Sequence, residues 1–300
     1  MSELNLLDNG ILISKDKWDS QIDELRKCVA RIITDKDEAV NIISEKLVNA
    51  MRDSFPDEKF AILFSGGIDS TIIAFIAKQL GKDFVCYAFG IEGARDVEWA
   101  RKAASELGLE LKVKEVNNNE FKNDLIETIK LINELDAIKI SVGAVFYPLL
   151  KEIKKDGLNY VYSGLGSEEI FAGYQRHTKA LDITEECWNG LSTIFERDFT
   201  RDVKLINHFG LKLKLPFLDQ NLINAAMRVS SDLKVCGEYK KYVLRLACHD
   251  LGLPKELSFR KKKAAQYGSK VNKAFRQIAR KEGFDTRKEF VAGVLNGSKK

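Results

Sequence analysis

Residues 61 to 70 read AILFSGGIDS, and no other stretch of this 300-residue chain restricts its fold so strongly. Ala61-Ile62-Leu63-Phe64 is a short apolar run of the kind that fills the middle of a parallel sheet, and Thr71 to Ala77 continues as an apolar helix. The six residues between them must turn strand into helix. Gly66 and Gly67 allow the backbone to approach a ligand with its N–H groups exposed, while the following helix adds unpaired amides and its positive dipole end. An anion is expected there.

The loop differs from GxxxxGK[ST], since it contains no lysine. Its hydroxyls, Ser65 and Ser70, and its carboxylate, Asp69, suit a pyrophosphate with its magnesium ion and leave an α-phosphorus open. SGGxDS at the end of a first strand resembles the PP-loop of ATP pyrophosphatases, which split ATP into AMP and pyrophosphate.

Asp83–Gly90 predicts a second strand, Asp96–Leu107 a helix ending at Gly108, and Leu111–Val116 a third strand. Helices at about 120–135 and 143–155 lead to a strand at 159–162. This rhythm predicts a doubly wound parallel α/β sheet whose ligands bind outside the carboxyl ends of the strands. The last of these tips is Ser163-Gly164-Leu165-Gly166-Ser167-Glu168-Glu169, a second glycine loop carrying two acids that suit a metal and a pyrophosphate.

Three segments are expected: 1–55 with two helices split near Asp35, the nucleotide-binding core over 56–175, and 176–300 as a helical part with a basic tail. Helices are predicted at 184–199, 221–229, 239–250 and 270–281, and no strand is predicted after Tyr174.

With 45% hydrophobic and 31% charged residues the composition is that of a globular domain, and no window approaches the roughly 18 apolar residues of a membrane span. A cytoplasmic protein is expected. The five cysteines form no CxxC pair, against a disulfide framework, zinc or an iron–sulfur cluster. From Lys255 onward there are 14 Lys and Arg against 4 Asp and Glu, whereas the rest has 34 against 40. That tail suits phosphates, RNA or an acidic partner, or is a solvated surface.

SGGIDS at 65–70, AFGIEGARD at 88–96, YVYSGLGSEEIFAGY at 160–174, LPFLD at 215–219, KYVLR at 241–245 and FRKKK at 259–263 together resemble the synthetase domain of asparagine synthetases, over about residues 42–268. The resemblance implies that adenine and ribose lie against Leu63, Phe89 and the Ser163-Gly164 turn. It implies pyrophosphate on Ser65, Gly66, Gly67 and Ser70, magnesium near Asp69 and Glu168 with Glu169 beside them, and Lys262 as the cation facing the α-phosphate. It also implies ATP and Mg²⁺, a carboxylate substrate, and ammonia or an amine as nitrogen donor.

Four departures bear on those roles. The family's amidotransferase domain is not expected, because Met1-Ser2 offers no N-terminal cysteine, so nitrogen would arrive as ammonia, as an amine or from a separate glutaminase subunit. The usual loop Glu is Leu165 and the usual Asp is Glu168. Lys212 and Lys214 stand where an acid and an arginine are typical, which predicts a more positive acyl pocket. Two other readings stay open: an RNA-modifying PP-loop protein, disfavoured by the missing CxxC, and a nucleotide-binding homologue without turnover. Homo-oligomerisation is also open.

Overall fold

The computed structural model describes residues 4, 6–8, 10–29, 31–260 and 265–297. Two short hairpins, β1 (Leu7–Asp8) with β2 (Ile11–Leu12) and β8 (Val235–Cys236) with β9 (Tyr239–Lys240), flank a five-stranded sheet. Its strands are β3 (Phe60–Leu63), β4 (Phe84–Ile91), β5 (Leu111–Val116), β6 (Tyr160–Tyr162) and β7 (Lys212–Lys214), in the order β5-β4-β3-β6-β7. All four pairings are parallel. The order reverses at β3, which places the switch point at the SGGIDS loop.

Both faces of the sheet are covered, and the strand sequences say why. Phe60, Ile62 and Phe64 join one apolar cluster, while Ala61 joins the other; on β4, Cys86 and Ala88 alternate in the same way with Val85, Tyr87 and Phe89. All eight residues of β4 are buried, as a central parallel strand requires.

The first cluster is completed by α1 (Lys15–Lys27), α2 (Lys36–Ser54), α3 (Ile68–Gln79) and α4 (Arg95–Leu107), together with helices Gln220–Arg228 and Tyr242–Asp250. The second lies under α5 (Asn118–Ile132), α6 (Ala137–Lys155) and helices Val271–Lys281 and Arg287–Leu295. Trp18 fastens the N-terminal helix: it is fully buried, donates from Nε1 to the Leu191 carbonyl at 2.8 Å, and meets Phe199 edge-on at 5.0 Å. The first apolar cluster draws on all three sequence segments.

Several boundaries differ from the sequence expectation. The expected helix at 143 begins at Ala137, because Asp136 caps the amides of Ile138 and Lys139. The expected helix at 184–199 is Ile183–Ile194 followed by a π-turn at Phe195–Phe199, and Tyr239 belongs to a strand. A strand does follow Tyr174: β7 is the sheet's edge. Its sequence, Lys-Leu-Lys, has a single apolar residue, Leu213, which packs against both apolar clusters, and a single ladder, to β6, holds the strand.

All five cysteines carry free thiols. Among the described residues, no helix is long and apolar enough to cross a membrane.

Candidate active site

The site is assembled where β3 and β6 end side by side, which brings the two glycine loops together. Gly66 has φ +62°, and a Cβ there would stand 2.8 Å from the Trp99 carbonyl oxygen, so glycine is required by backbone conformation and by the passage of α4 behind the loop. The two serines hold the loop's shape. The Ser65 amide donates to Ser70 Oγ at 3.3 Å, and Ser70 Oγ donates to the Gly67 carbonyl at 3.2 Å. Gly67 occupies the N-cap of α3 without a side-chain cap, which leaves the first amides of that helix for a ligand.

A cavity of about 150 Å³ opens beside this loop. Of the residues expected to hold nucleotide, Leu63, Ser65, Asp69, Ser70, Phe89, Ser163 and Gly164 line it; Gly66 and Gly67 do not. Asp96, which closes the AFGIEGARD stretch, lines it too, but sequence reasoning missed its other wall: Val145, Phe146 and Leu149 of α6, and Ala265 and Ser269. The helical period of α6 marked an apolar face but gave no reason to distinguish it from ordinary core.

Asp69 also borders a second cleft, of about 250 Å³, with Glu168, Lys241, Arg245 and Arg260 among its walls. Here the two loops are joined by a cation. Lys241 Nζ donates to Asp69 Oδ1 at 2.7 Å, pairs with Glu168 Oε1 at 2.9 Å and reaches Ser167 Oγ at 3.3 Å; Ser167 Oγ itself donates to Asp69 Oδ1 at 2.5 Å. Burial works to lower the Lys241 pKa, but the carboxylates of Asp69 and Glu168 outweigh it and hold the ammonium above its ordinary range. Lys241 adopts φ +55° at the N-cap of its helix. It stands first in the KYVLR stretch, the one sequence signal that could have found it.

Glycines set the spacing. At Gly164 a Cβ would come within 2.6 Å of Asp69 Cβ, and at Gly173 one would overlap Glu168 Oε2 at 1.7 Å and Lys241 Cε at 2.3 Å. Bare backbone at both positions lets the acids and the lysine converge.

Arg260 ties the basic run to the loop. Its Nη1 donates to the Ser65 carbonyl at 3.0 Å, its Nη2 meets Asp96 Oδ1 at 3.4 Å, and its guanidinium lies over the Trp99 ring at 4.6 Å. Arg245 in turn donates to the carbonyls of Ser258 and Arg260 at 2.7 and 3.0 Å. Lys262 lies outside the described residues; Arg260 before it and Ala265 after it are both at the site.

Glu169 turns away from the ligand side into a buried charged network. Tyr174 Oη donates to its Oε1 at 2.9 Å, Arg197 pairs with the same oxygen, and Arg197 continues to Asp198 at 2.7 Å. Burial pushes the Glu169 carboxyl up to about 7, with Arg197 opposing and Asp198 assisting. The π-turn at 195–199 is the element that carries Arg197 and Asp198 inward.

Two departures from the family pattern look different in three dimensions. Leu165 packs against the first apolar cluster and is not among the residues lining either cavity. Lys212 is corrected outright: it is the first residue of β7, paired in register with Tyr160, whereas the loops leave from the opposite, carboxyl ends. It is exposed and lies over the Tyr160 ring at 4.8 Å, so it adds no positive charge to an acyl pocket.

Asp69 and Glu168 supply two hard oxygen donors to the second cleft, and no group of three or more metal-binding side chains occurs among the described residues. That donor set fits magnesium, which keeps waters and phosphate oxygens in its octahedron and takes one or two carboxylates from protein.

Comparison with known proteins identifies the family. The family model described as asparagine synthase matches residues 42–186 and 178–296. A putative glutamine-hydrolyzing asparagine synthetase of Methanocaldococcus jannaschii is 28% identical over 269 residues, covering 77% of this chain and 49% of that protein. Asparagine synthetase B of Escherichia coli is 28% identical over 249 residues, covering 77% of this chain and 44% of its own length. The chain thus spans about half the length of these relatives. A structure of NMN synthetase from Francisella tularensis matches 89% of the chain and 88% of its own with a TM-score of 0.44 and 16% identity, too distant to bear on function. On the family match across nearly its whole length, the chain belongs to the asparagine synthase family.

Proposed function

We propose that the protein is an ATP-dependent, AMP-forming ligase that adenylates a carboxylate and passes the acyl group to ammonia or an amine in the cytoplasm. The observation that carries this reading is the meeting of the two loops through Lys241, with Asp69 on one side and Glu168 on the other, beside the cavity of Leu63, Phe89 and Ser163. A cavity of about 150 Å³ takes a single ring system, which suits adenine. The open amides of α3, with Ser65, Gly66, Gly67 and Ser70, suit the β- and γ-phosphates.

In the first step a substrate carboxylate oxygen attacks the α-phosphorus, the bond to the bridging α,β-oxygen breaks, and pyrophosphate leaves. In the second step the nitrogen attacks the acyl carbon, the acyl–phosphate C–O bond breaks, AMP departs and the nitrogen gives up a proton. Bound at Asp69 and Glu168 with the pyrophosphate oxygens, magnesium would supply charge neutralisation for the leaving group. Lys241 orients those two carboxylates and adds a fixed positive charge beside them. Lys262 is assigned to the developing charge on the α-phosphate, and Arg260 to holding the backbone of Ser65.

The test is release of pyrophosphate from ATP and Mg²⁺ against a panel of carboxylic acids, with and without ammonia. Release dependent on one acid, and its loss in Asp69→Ala, is expected. Release indifferent to Asp69→Ala would sink the assignment.

A further inference from the structure

We propose that a third, larger cavity on the same edge of the sheet binds the sugar–phosphate backbone of a folded RNA. This cavity, of about 680 Å³, lies beyond the carboxyl ends of β4 and β5, between the start of α5 and the helix Val271–Lys281. It abuts the nucleotide cavity: the Ile91 amide donates to the Ser269 carbonyl at 2.9 Å, and Ser269 faces the nucleotide side while Lys270 faces the groove.

Its chemistry is polar and cationic. Lys122, Lys270, Lys273 and Lys281 line it against two acids, Glu92 and Glu282, with three consecutive asparagines and Gln277 completing the walls. Lys122 is paired to Glu282 at 2.6 Å, and Lys281 is tied to Asn119 Oδ1 at 3.2 Å. Lys273 has no ion pair among the described residues.

The charge also extends past the cavity. The helix Val271–Lys281 buries Val271, Ala274, Phe275 and Ile278 and exposes Lys273, Arg276 and Arg280. Three and four residues apart, these cations form one row with roughly 5–6 Å between neighbours. From Lys273 to Arg280 the row runs about 10 Å along the helix. Such a row matches a ligand with repeated negative charges, and a single phosphate would use only part of it.

Of the amide side chains beside the row, Asn118 donates to Gln277 Oε1 at 2.8 Å, which leaves the Gln277 amino group to donate to a 2′-hydroxyl and favours RNA over a polycarboxylate. No aromatic ring lines the groove, so bases have nothing to stack on and recognition falls to the backbone of a folded RNA. This inference is independent of the adenylation chemistry.

The test is fluorescence anisotropy with a labelled tRNA transcript between 50 and 200 mM KCl, comparing wild type with the triple variant K273E/R276E/R280E and the neutral K273Q/R276Q/R280Q. Wild type is expected to bind with a steep salt slope. The charge-reversed variant should bind at least 100-fold more weakly, and the neutral variant should show a slope shallower by about 2 to 3. Retained melting temperature shows that either variant is folded, since all three side chains are exposed. No binding by wild type, equal binding by a folded variant, or equal displacement of tRNA by polyglutamate of matched charge would each overturn the proposal.

Discussion

Lys241 and Asp69 are 172 positions apart in sequence, yet their side chains meet at 2.7 Å, and the lysine is only 4% exposed. A buried ammonium shared by two carboxylates is costly to remove from one side, because the acids it separates are then left facing each other.

Lys241→Met is therefore expected to lower unfolding free energy by about 3–5 kcal/mol, the range for breaking a buried pair. Urea unfolding measures this. Added Mg²⁺ with pyrophosphate should recover part of the loss, by replacing the missing cation between Asp69 and Glu168. A stability equal to wild type would show that the pair is not coupled.

Gly173→Ala tests the spacing of the acids and the lysine. The added methyl group falls on the Glu168 carboxylate and on Cε of the buried Lys241, so both side chains must shift. The melting temperature is expected to fall, though by less than in Lys241→Met, while acid-dependent pyrophosphate release falls at least tenfold, consistent with the sensitivity of catalysis to displacements of about 1 Å. Unchanged release would mean that Glu168 need not be where it stands.

Trp18→Ala tests the attachment of the N-terminal helix. The indole is fully buried, and its removal leaves a cavity and takes away the hydrogen bond to the Leu191 carbonyl. A loss of about 3–5 kcal/mol is expected. Trp18 lies outside both cavities, so pyrophosphate release by the folded fraction at low temperature should be preserved.

His177 predicts an acid-sensitive contribution. Burial, with Arg176 nearby, depresses its pKa from 6.5 to about 4, while the Tyr174 amide donates to its Nδ1 at 3.0 Å. The folded state keeps the ring neutral where the unfolded state takes a proton. This stability is present above pH 6.5 and is lost as pH falls through about 4. Glu169, raised to about 7, has the opposite sign: between 4.5 and 7 the unfolded chain releases its proton first, so stability falls as pH rises. Thermal melting between pH 4 and 7.5 should thus show a smaller acid loss for His177→Gln, and for Glu169→Gln a smaller decline toward neutral pH. Profiles parallel to wild type would contradict both assignments.

The central strands were readable because they are apolar on both faces, and those at 60, 84 and 160 differ from expectation only at their ends. The edge strand Leu111–Val116, with the expected bounds, was readable from its alternation of apolar and charged residues. β7 was not, because Lys-Leu-Lys becomes a strand only by pairing with β6. The same short strand explains the misplacement of Lys212, since strand direction, which sequence spacing does not reveal, decides which end faces the ligand. At the site, residues within the strand tips were legible, whereas Phe146 and Lys241 are brought there by packing of distant elements.

The loops at Ser65 and Ser163 also set an order of events during synthesis. The bond from Ser167 to Asp69 spans 98 residues, that from Lys241 spans 172, and that from Arg260 to Ser65 spans 195. Contacts of this range form late, after the entropy of closing the intervening chain has been overcome. A nascent chain that has emerged only as far as α6 would present the glycine turn without the second loop or either cation. On the proposed function, ligand capture would therefore wait for the segment carrying Arg260 and so report on folding from the first loop to the basic run.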